Sequence, residues 1–307
     1  MTNILLIVLG LVLGCLVLSY FFIPARLFDV LVLFTRLRAK LNVRYCDVDG
    51  HRIPYLVGGD GPPLVLLHGF GADKDHWSVV GRYLTDHFTV YAPDLPGFGE
   101  ADRKIEASYG REAQIARLKM FLDGLNLSEI NLGGSSMGGY LAFMFAHRYP
   151  NSVNKLWLLA PAGALSAEPS EFMLALEENS NPLIVETEQQ LQELARLCFF
   201  KPPSIPERFK KVLLDRSSRV ADFNRRVFEE IFDSPLAIED INDTLQTKSL
   251  LVWGDSDKIL DCSGVKGFQQ KLLRAQTILM PEVGHLPMIE KPRTVAVDFL
   301  NFYAGKN

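Results

Sequence analysis

The stretch Asn131-Leu132-Gly133-Gly134-Ser135-Ser136-Met137-Gly138-Gly139-Tyr140 constrains this chain more than any other. Residues 129–132 before it read as a short buried strand. Residues 137–149 after it read as a helix of interleaved small and apolar residues, closed by Pro150. Between them Gly134-Ser135-Ser136-Met137-Gly138 has the G-x-S-x-G spacing. A strand that turns this sharply into a helix puts the middle serine on a strained bend. Glycines two before and two after it leave room for that bend. Ser136 then sits at a helix N-terminus, where unpaired N–H groups favour developing negative charge. Tight strand–helix turns without chemistry share the pattern, so a base, an orienting acid and an oxyanion site must come from elsewhere in the chain.

The 307 residues suffice for a sizeable core in one large domain or two small ones. The net charge is −4, and no Lys/Arg-dense patch is interleaved with aromatics, which argues against a nucleic-acid partner. Cys15, Cys46, Cys198 and Cys262 lie far apart, without metal-ligand spacing or a disulfide framework, and read as buried free thiols.

Residues 4–23 are nearly continuous hydrocarbon, about the length a helix needs to cross a bilayer. No Lys or Arg precedes the run, which argues against a cleaved signal peptide and against reading Val12-Leu13-Gly14-Cys15 as a lipoprotein box. In residues 24–43 Arg26, Arg36, Arg38 and Lys40 interleave with leucines, valines and phenylalanines. Such a helix suits a membrane surface, and its charges predict a single-pass, N-terminal anchor with the body facing the cytoplasm. The alternative is a helix packed against the body.

From Val43 on, strand and helix patterns alternate. Residues 44–48 and 53–57 flank the Asp49-Gly50 hairpin signal, with Pro54 suited to an edge strand. Leu64-Val65-Leu66-Leu67 is an uninterrupted apolar run of the central parallel kind, leading into His68-Gly69-Phe70-Gly71. The backbone N–H groups of Phe70 and Met137 are the candidate oxyanion donors, and His68 reads as structural. Helices are expected over 75–86 and 109–125, and strands over 88–92 and 153–159. Asp94 reads as a turn residue. Residues 164–245 are charged, helix-patterned and punctuated by proline, with helices expected over 168–179, 186–200, 206–217 and 220–232. An insertion here reads as a cap over the carboxyl ends of the strands. The candidate substrate-binding residues are Phe172, Phe199, Phe200 and, beyond the cap, Met288. Strands over 249–253 and 276–280 and a helix over 293–303 complete the pattern.

The candidate base is His285, on a loop just past a strand end. His51, His76, His87 and His147 read as solvated. Both Asp255 and Asp257 follow a strand and qualify as the acid.

With these residues in view, the chain resembles the α/β-hydrolase superfamily, more closely its membrane-anchored monoacylglycerol lipases and related bacterial lipases. The resemblance rests on His68-Gly69-Phe70, Lys74-Asp75-His76-Trp77, Gly134-Ser135-Ser136-Met137-Gly138-Gly139 and Trp253-Gly254-Asp255-Ser256-Asp257-Lys258-Ile259-Leu260-Asp261. Gly284-His285 and Glu290-Lys291-Pro292-Arg293 complete it. It implies a mostly parallel sheet flanked by helices with a helical cap, and Asp257 rather than Asp255 as the acid. Glu100 departs from it, since many relatives carry serine there. The expected organisation is an anchor and interfacial helix (1–42), a first core part (43–163), a cap (164–245) and a second core part (246–307). The expected activity is hydrolysis of lipid-like esters by Ser136, His285 and Asp257, with no metal or organic cofactor. Two rivals are a carbon–carbon-bond hydrolase with the same residues and a non-catalytic binding module. Ser136 at the elbow excludes fold relatives that use aspartate there.

Overall fold

A computed structural model describes residues 5–6, 14, 16–233 and 237–306. Among the described residues eight strands form a single sheet in the order β1-β2-β4-β3-β5-β6-β7-β8. They are β1 (Asn42–Val48), β2 (His51–Gly58), β3 (Pro63–Leu67), β4 (Thr89–Pro93), β5 (Ile130–Ser135), β6 (Val153–Leu159), β7 (Lys248–Gly254) and β8 (Ala275–Met280). β1 and β2 form an antiparallel hairpin, β2 pairs antiparallel with β4, and every later pairing is parallel.

Period-two alternation explains why this sheet is covered on both faces. Val65, Leu67, Leu156, Leu158, Leu251 and Trp253 point into one core with the helices Arg111–Gly124 and Met137–Arg148. Their neighbours Leu64, Leu66, Trp157, Leu159, Leu250 and Val252 point into a second core, where Trp157 stacks on Phe299 of the helix Pro292–Tyr303.

Local chemistry sets the connections. Asp49 and Gly50 both take positive φ (49° and 72°), the geometry that joins a tight hairpin. Pro54 is not on an edge: β2 is paired on both sides, and β1 is the outer strand. Pro54 lies one residue past the Tyr55–Pro93 end of the β2–β4 register: its C=O still accepts from Asp94 N–H, and the ladder stops where the reciprocal N–H is missing. The helix expected over 75–86 is instead a 3₁₀ turn, Lys74–Trp77, and a single helical turn, Ser78–Gly81. Asp73 caps that start by accepting from Asp75 N–H, and Gly81 packs closely on Leu41. A further helix, Val265–Lys271, lies between β7 and β8.

Among the described residues four α-helices lie between β6 and β7: Glu171–Glu177, Glu188–Cys198, Glu207–Arg219 and Ala221–Ile231. Thr187 and Gln190 form a capping box at the second. Ser170 Oγ both caps the first and donates to Ile259 C=O at 2.7 Å, tying this insertion to the loop after β7.

At the N-terminus, residues 16–22 are helical and the helix Pro24–Arg38 follows. Among the described residues no helix is long and apolar enough to cross a membrane. Of the expected span, residues 4, 7–13 and 15 lie outside the described residues. The helix Pro24–Arg38 packs on the inserted helix Glu207–Arg219 through Phe28–Phe209 and Asp29–Arg216. Arg36 grips Asp75 with two bonds of 2.6 Å. Ala39 and Leu41, just beyond, are buried in the second core.

Candidate active site

The strand order reverses between β3 and β5, and the loops leaving their carboxyl ends diverge there to leave a crevice. Ser136 stands at that point, between β5 and the helix Met137–Arg148. Its φ and ψ are 56° and −122°, a conformation that side chains rarely adopt. Neighbouring backbone enforces it. Ser136 N–H donates to Leu159 C=O, and Ser136 C=O accepts from Tyr140 and Ala162 N–H. A Cβ on Gly134 would stand 2.2 Å from Gly138 C=O, and one on Gly138 would stand 2.3 Å from Leu67 C=O. Both positions therefore require glycine.

Against this bend lies the loop after β3. A Cβ on Gly69 would meet Ser136 Cβ at 3.2 Å, so the loop passes as close to the serine as a backbone can. His68 is fully buried and holds that loop: its Nε2 accepts from Leu95 N–H at 2.9 Å, so Nδ1 carries the proton and donates to Gly69 C=O at 2.8 Å. Burial pushes the His68 pKa down to about 4, which keeps the ring neutral. Among the described residues neither Phe70 N–H nor Met137 N–H has a protein acceptor.

The loop after β8 brings His285, buried, to Asp257. His285 Nδ1 lies 2.8 Å from Asp257 Oδ2. Asp257 is buried as well and is itself held from several sides. Its Oδ1 accepts from Ile259 and Leu260 N–H at 2.8 and 2.9 Å, and its Oδ2 from Trp253 Nε1 at 3.1 Å. Asp255 is exposed and accepts instead from Ser256 Oγ and Glu282 N–H, so it closes a turn.

Ser136, His285 and Phe70 line one cavity of about 280 Å³. No hydrogen bond joins Ser136 Oγ to His285 among the described residues. The inserted helices and the chain around them wall the cavity with Leu183, Val185, Leu191, Leu194, Phe199 and Leu213. His76, Ser217 and Asn224 are polar exceptions, and His76 Nδ1 and Asn224 Oδ1 find no partner in the protein.

Of the four substrate-binding candidates, Phe199 alone lines this cavity. Phe172 is packed with Leu197 and Ile259 in a small core of the insertion. Met288 is fully buried in the second main core. Phe200 is half-buried outside the lining, its N–H given to Glu290. Hydrophobicity named all four residues; tertiary packing places Phe199 at the cavity and the other three outside its lining. His51 is buried rather than solvated, its ring 3.1 Å from Asp49 C=O. Asp94 is a buried structural anion, not a simple turn residue: it accepts from Lys74 and Glu100 N–H and pairs with Lys74 Nζ at 3.0 Å. Glu100 also reaches Lys74, at 3.1 Å. Trp253 escaped sequence reasoning as a partner of Asp257, although the short Asp257-x-Ile259 turn was open to it as an Asx pattern.

Residues 62–292 match the family model described as the alpha/beta hydrolase fold. The chain belongs to that family. Among curated proteins it is 31% identical over 265 residues to Lipase 1 of Psychrobacter immobilis, covering 85% of this chain and 83% of that one. It is 27% identical over 301 residues to monoacylglycerol lipase ABHD6 of Homo sapiens, covering 94% and 89%. Among solved structures it matches a membrane phospholipase A described as a bacterial virulence factor, at 35% identity and a TM-score of 0.89, over 99% of each chain. This α/β hydrolase is an ester hydrolase of the lipase type.

Proposed function

We propose that the protein is a membrane-associated serine hydrolase that cleaves monoacylglycerols and similar single-chain lipid esters. One observation carries the reading: the buried His285–Asp257 contact of 2.8 Å opens on the same cavity as the positive-φ Ser136.

In this reading His285 Nε2 takes the Ser136 proton as Oγ attacks the ester carbonyl. Asp257 holds the proton on Nδ1 and stabilises the imidazolium. Phe70 and Met137 N–H receive the oxyanion, and losing one such donor typically costs about 10²–10³ in turnover. The imidazolium then protonates the departing alcohol, and the acyl group stays on Ser136. Water, deprotonated by the same ring, releases the acid and restores the serine. The contact between hydroxyl and ring tightens with substrate in place, as is common in such enzymes.

The cavity supports the substrate class. Its apolar wall suits one acyl chain, and His76, Ser217 and Asn224 offer polar groups to a hydroxylated alcohol. Membrane association is supported by the apolar composition of residues 4–23. The helix Pro24–Arg38 adds Val30, Phe34 and Leu37, which are 57%, 55% and 61% exposed, on a segment that also carries arginines. We place the catalytic body on the cytoplasmic side from those charges.

A fluorophosphonate probe should label the wild type and not Ser136→Ala. A panel of monoacylglycerols and short p-nitrophenyl esters should be hydrolysed with the same dependence. Activity confined to vinylogous diketones, or an unlabelled wild type, would refute the proposal.

A further inference from the structure

Glu290 ends the short helix Pro287–Glu290, five residues after His285. Its Oε1 accepts from Gly284 N–H at 2.7 Å and its Oε2 from Phe200 N–H at 3.0 Å. One carboxylate thus joins the loop that carries His285 to the chain leaving the inserted helix Glu188–Cys198. A third bond closes the joint, from His285 N–H to Cys198 C=O at 2.8 Å. The two segments are in such close contact that a Cβ on Gly284 would stand 2.6 Å from Cys198 C=O and 2.9 Å from Phe200 N. Cys198 and Phe199, between the bonded points, line the substrate cavity.

The arrangement is more than a surface staple. Burial and the nearby Asp257 raise the Glu290 carboxyl above its usual range, although both N–H donors oppose this. An apolar residue would avoid that desolvation but would leave Gly284 and Phe200 N–H without acceptors. The His285 ring is fixed by Asp257 on one side only; its backbone needs a separate anchor.

We infer that Glu290 is a positioning residue. It holds the His285 loop and the Cys198–Phe199 wall of the cavity as one unit, so the seating of the cap sets where the imidazole stands relative to Ser136. The inference rests on the proposed roles of Ser136 and His285.

The test uses full-length protein in detergent micelles, comparing wild type with Glu290→Ala and Glu290→Gln. Measured are kcat and KM on a short soluble ester, the rate of fluorophosphonate labelling, and the thermal midpoint. A displacement of about 1 Å can cost about 10² in rate, so Glu290→Ala should lose about 10²-fold in kcat and in labelling rate, with KM moving less. Glu290→Gln keeps a carbonyl oxygen for one N–H and should recover part of that loss. If Glu290→Ala does not fold, Glu290→Gln decides alone. A folded variant with kcat and labelling at the wild-type level, or with its loss confined to KM or to the thermal midpoint, overturns the inference. Failure of the wild type itself to be labelled would remove the proposed function and this inference together. Normal wild-type labelling with unaffected Glu290 variants would remove only the latter.

Discussion

His68 and His285 are both buried histidines, and their neighbours give them opposed tasks. His285 faces a carboxylate and the cavity. His68 faces two backbone groups, Leu95 N–H and Gly69 C=O, and burial keeps it neutral with a pKa near 4. Because that pKa is depressed from 6.5, the stability that neutral His68 contributes is complete above pH 6.5. It declines below that and is lost as pH falls through 4. Asp94, pushed up to about 6 by burial, acts in the opposite sense, favouring the fold at low pH and losing that contribution as pH rises through 6. Comparison with His68→Gln isolates the histidine. Urea midpoints between pH 7 and 4 should fall more steeply for the wild type than for the variant; parallel curves would show that His68 does not titrate as argued. Asp257→Asn should lower kcat by about 10⁴ by leaving His285 in the wrong tautomer, measured on a soluble ester. Asp255→Asn should leave kcat near the wild-type value, since its partners are Ser256 and Glu282. The two aspartates were equivalent in the sequence apart from the family resemblance. Only the path of the loop separates them, one toward His285 and the other toward solvent.

The elbow was the most legible element, because its glycine spacing is a steric requirement and sterics are local. Gly138→Ala would drive a methyl group into Leu67 C=O and His68 C=O, 2.3 and 2.4 Å away, and neither backbone atom can yield cheaply. It should destabilise the fold by about 3 kcal/mol, seen in urea unfolding, and abolish fluorophosphonate labelling. The strands of the doubly buried sheet were legible for a similar reason: an uninterrupted run such as Leu64-Val65-Leu66-Leu67 has few other places to go. The segment 75–86 was not. Its helical composition yields to Asp73, which caps a tighter turn, and to Arg36, which holds Asp75 from a helix distant in sequence. Arg36→Ala should cost about 2 kcal/mol of stability, because both charges are largely shielded from solvent and the remaining carboxylate loses two short bonds. Thermal denaturation of the full chain measures it; an unchanged midpoint would mean that Lys74, 3.6 Å from Asp75, compensates fully.

At the scale of the whole molecule, the N-terminal helix is both an apolar surface and part of the body. Val30, Phe34 and Leu37 are exposed, while Arg36, Ala39 and Leu41 engage the hydrolase body and Asp29 the insertion. A cut before Pro24 should therefore leave a folded, labelled enzyme with weakened membrane binding, and adding Val30→Asp and Phe34→Asp should release the remainder in vesicle flotation. Retention of that triple change on vesicles would refute the interfacial role. The amino-acid order alone determined the alternation of strands and helices, the strained serine and the run of helices between β6 and β7. These follow from period, steric room and composition, which act over a few residues. Tertiary structure alone decided which acid meets His285, which aromatic faces the cavity and what Glu290 binds. The Asp257–His285 and Phe200–Glu290 contacts join positions 28 and 90 apart, where no local rule reaches.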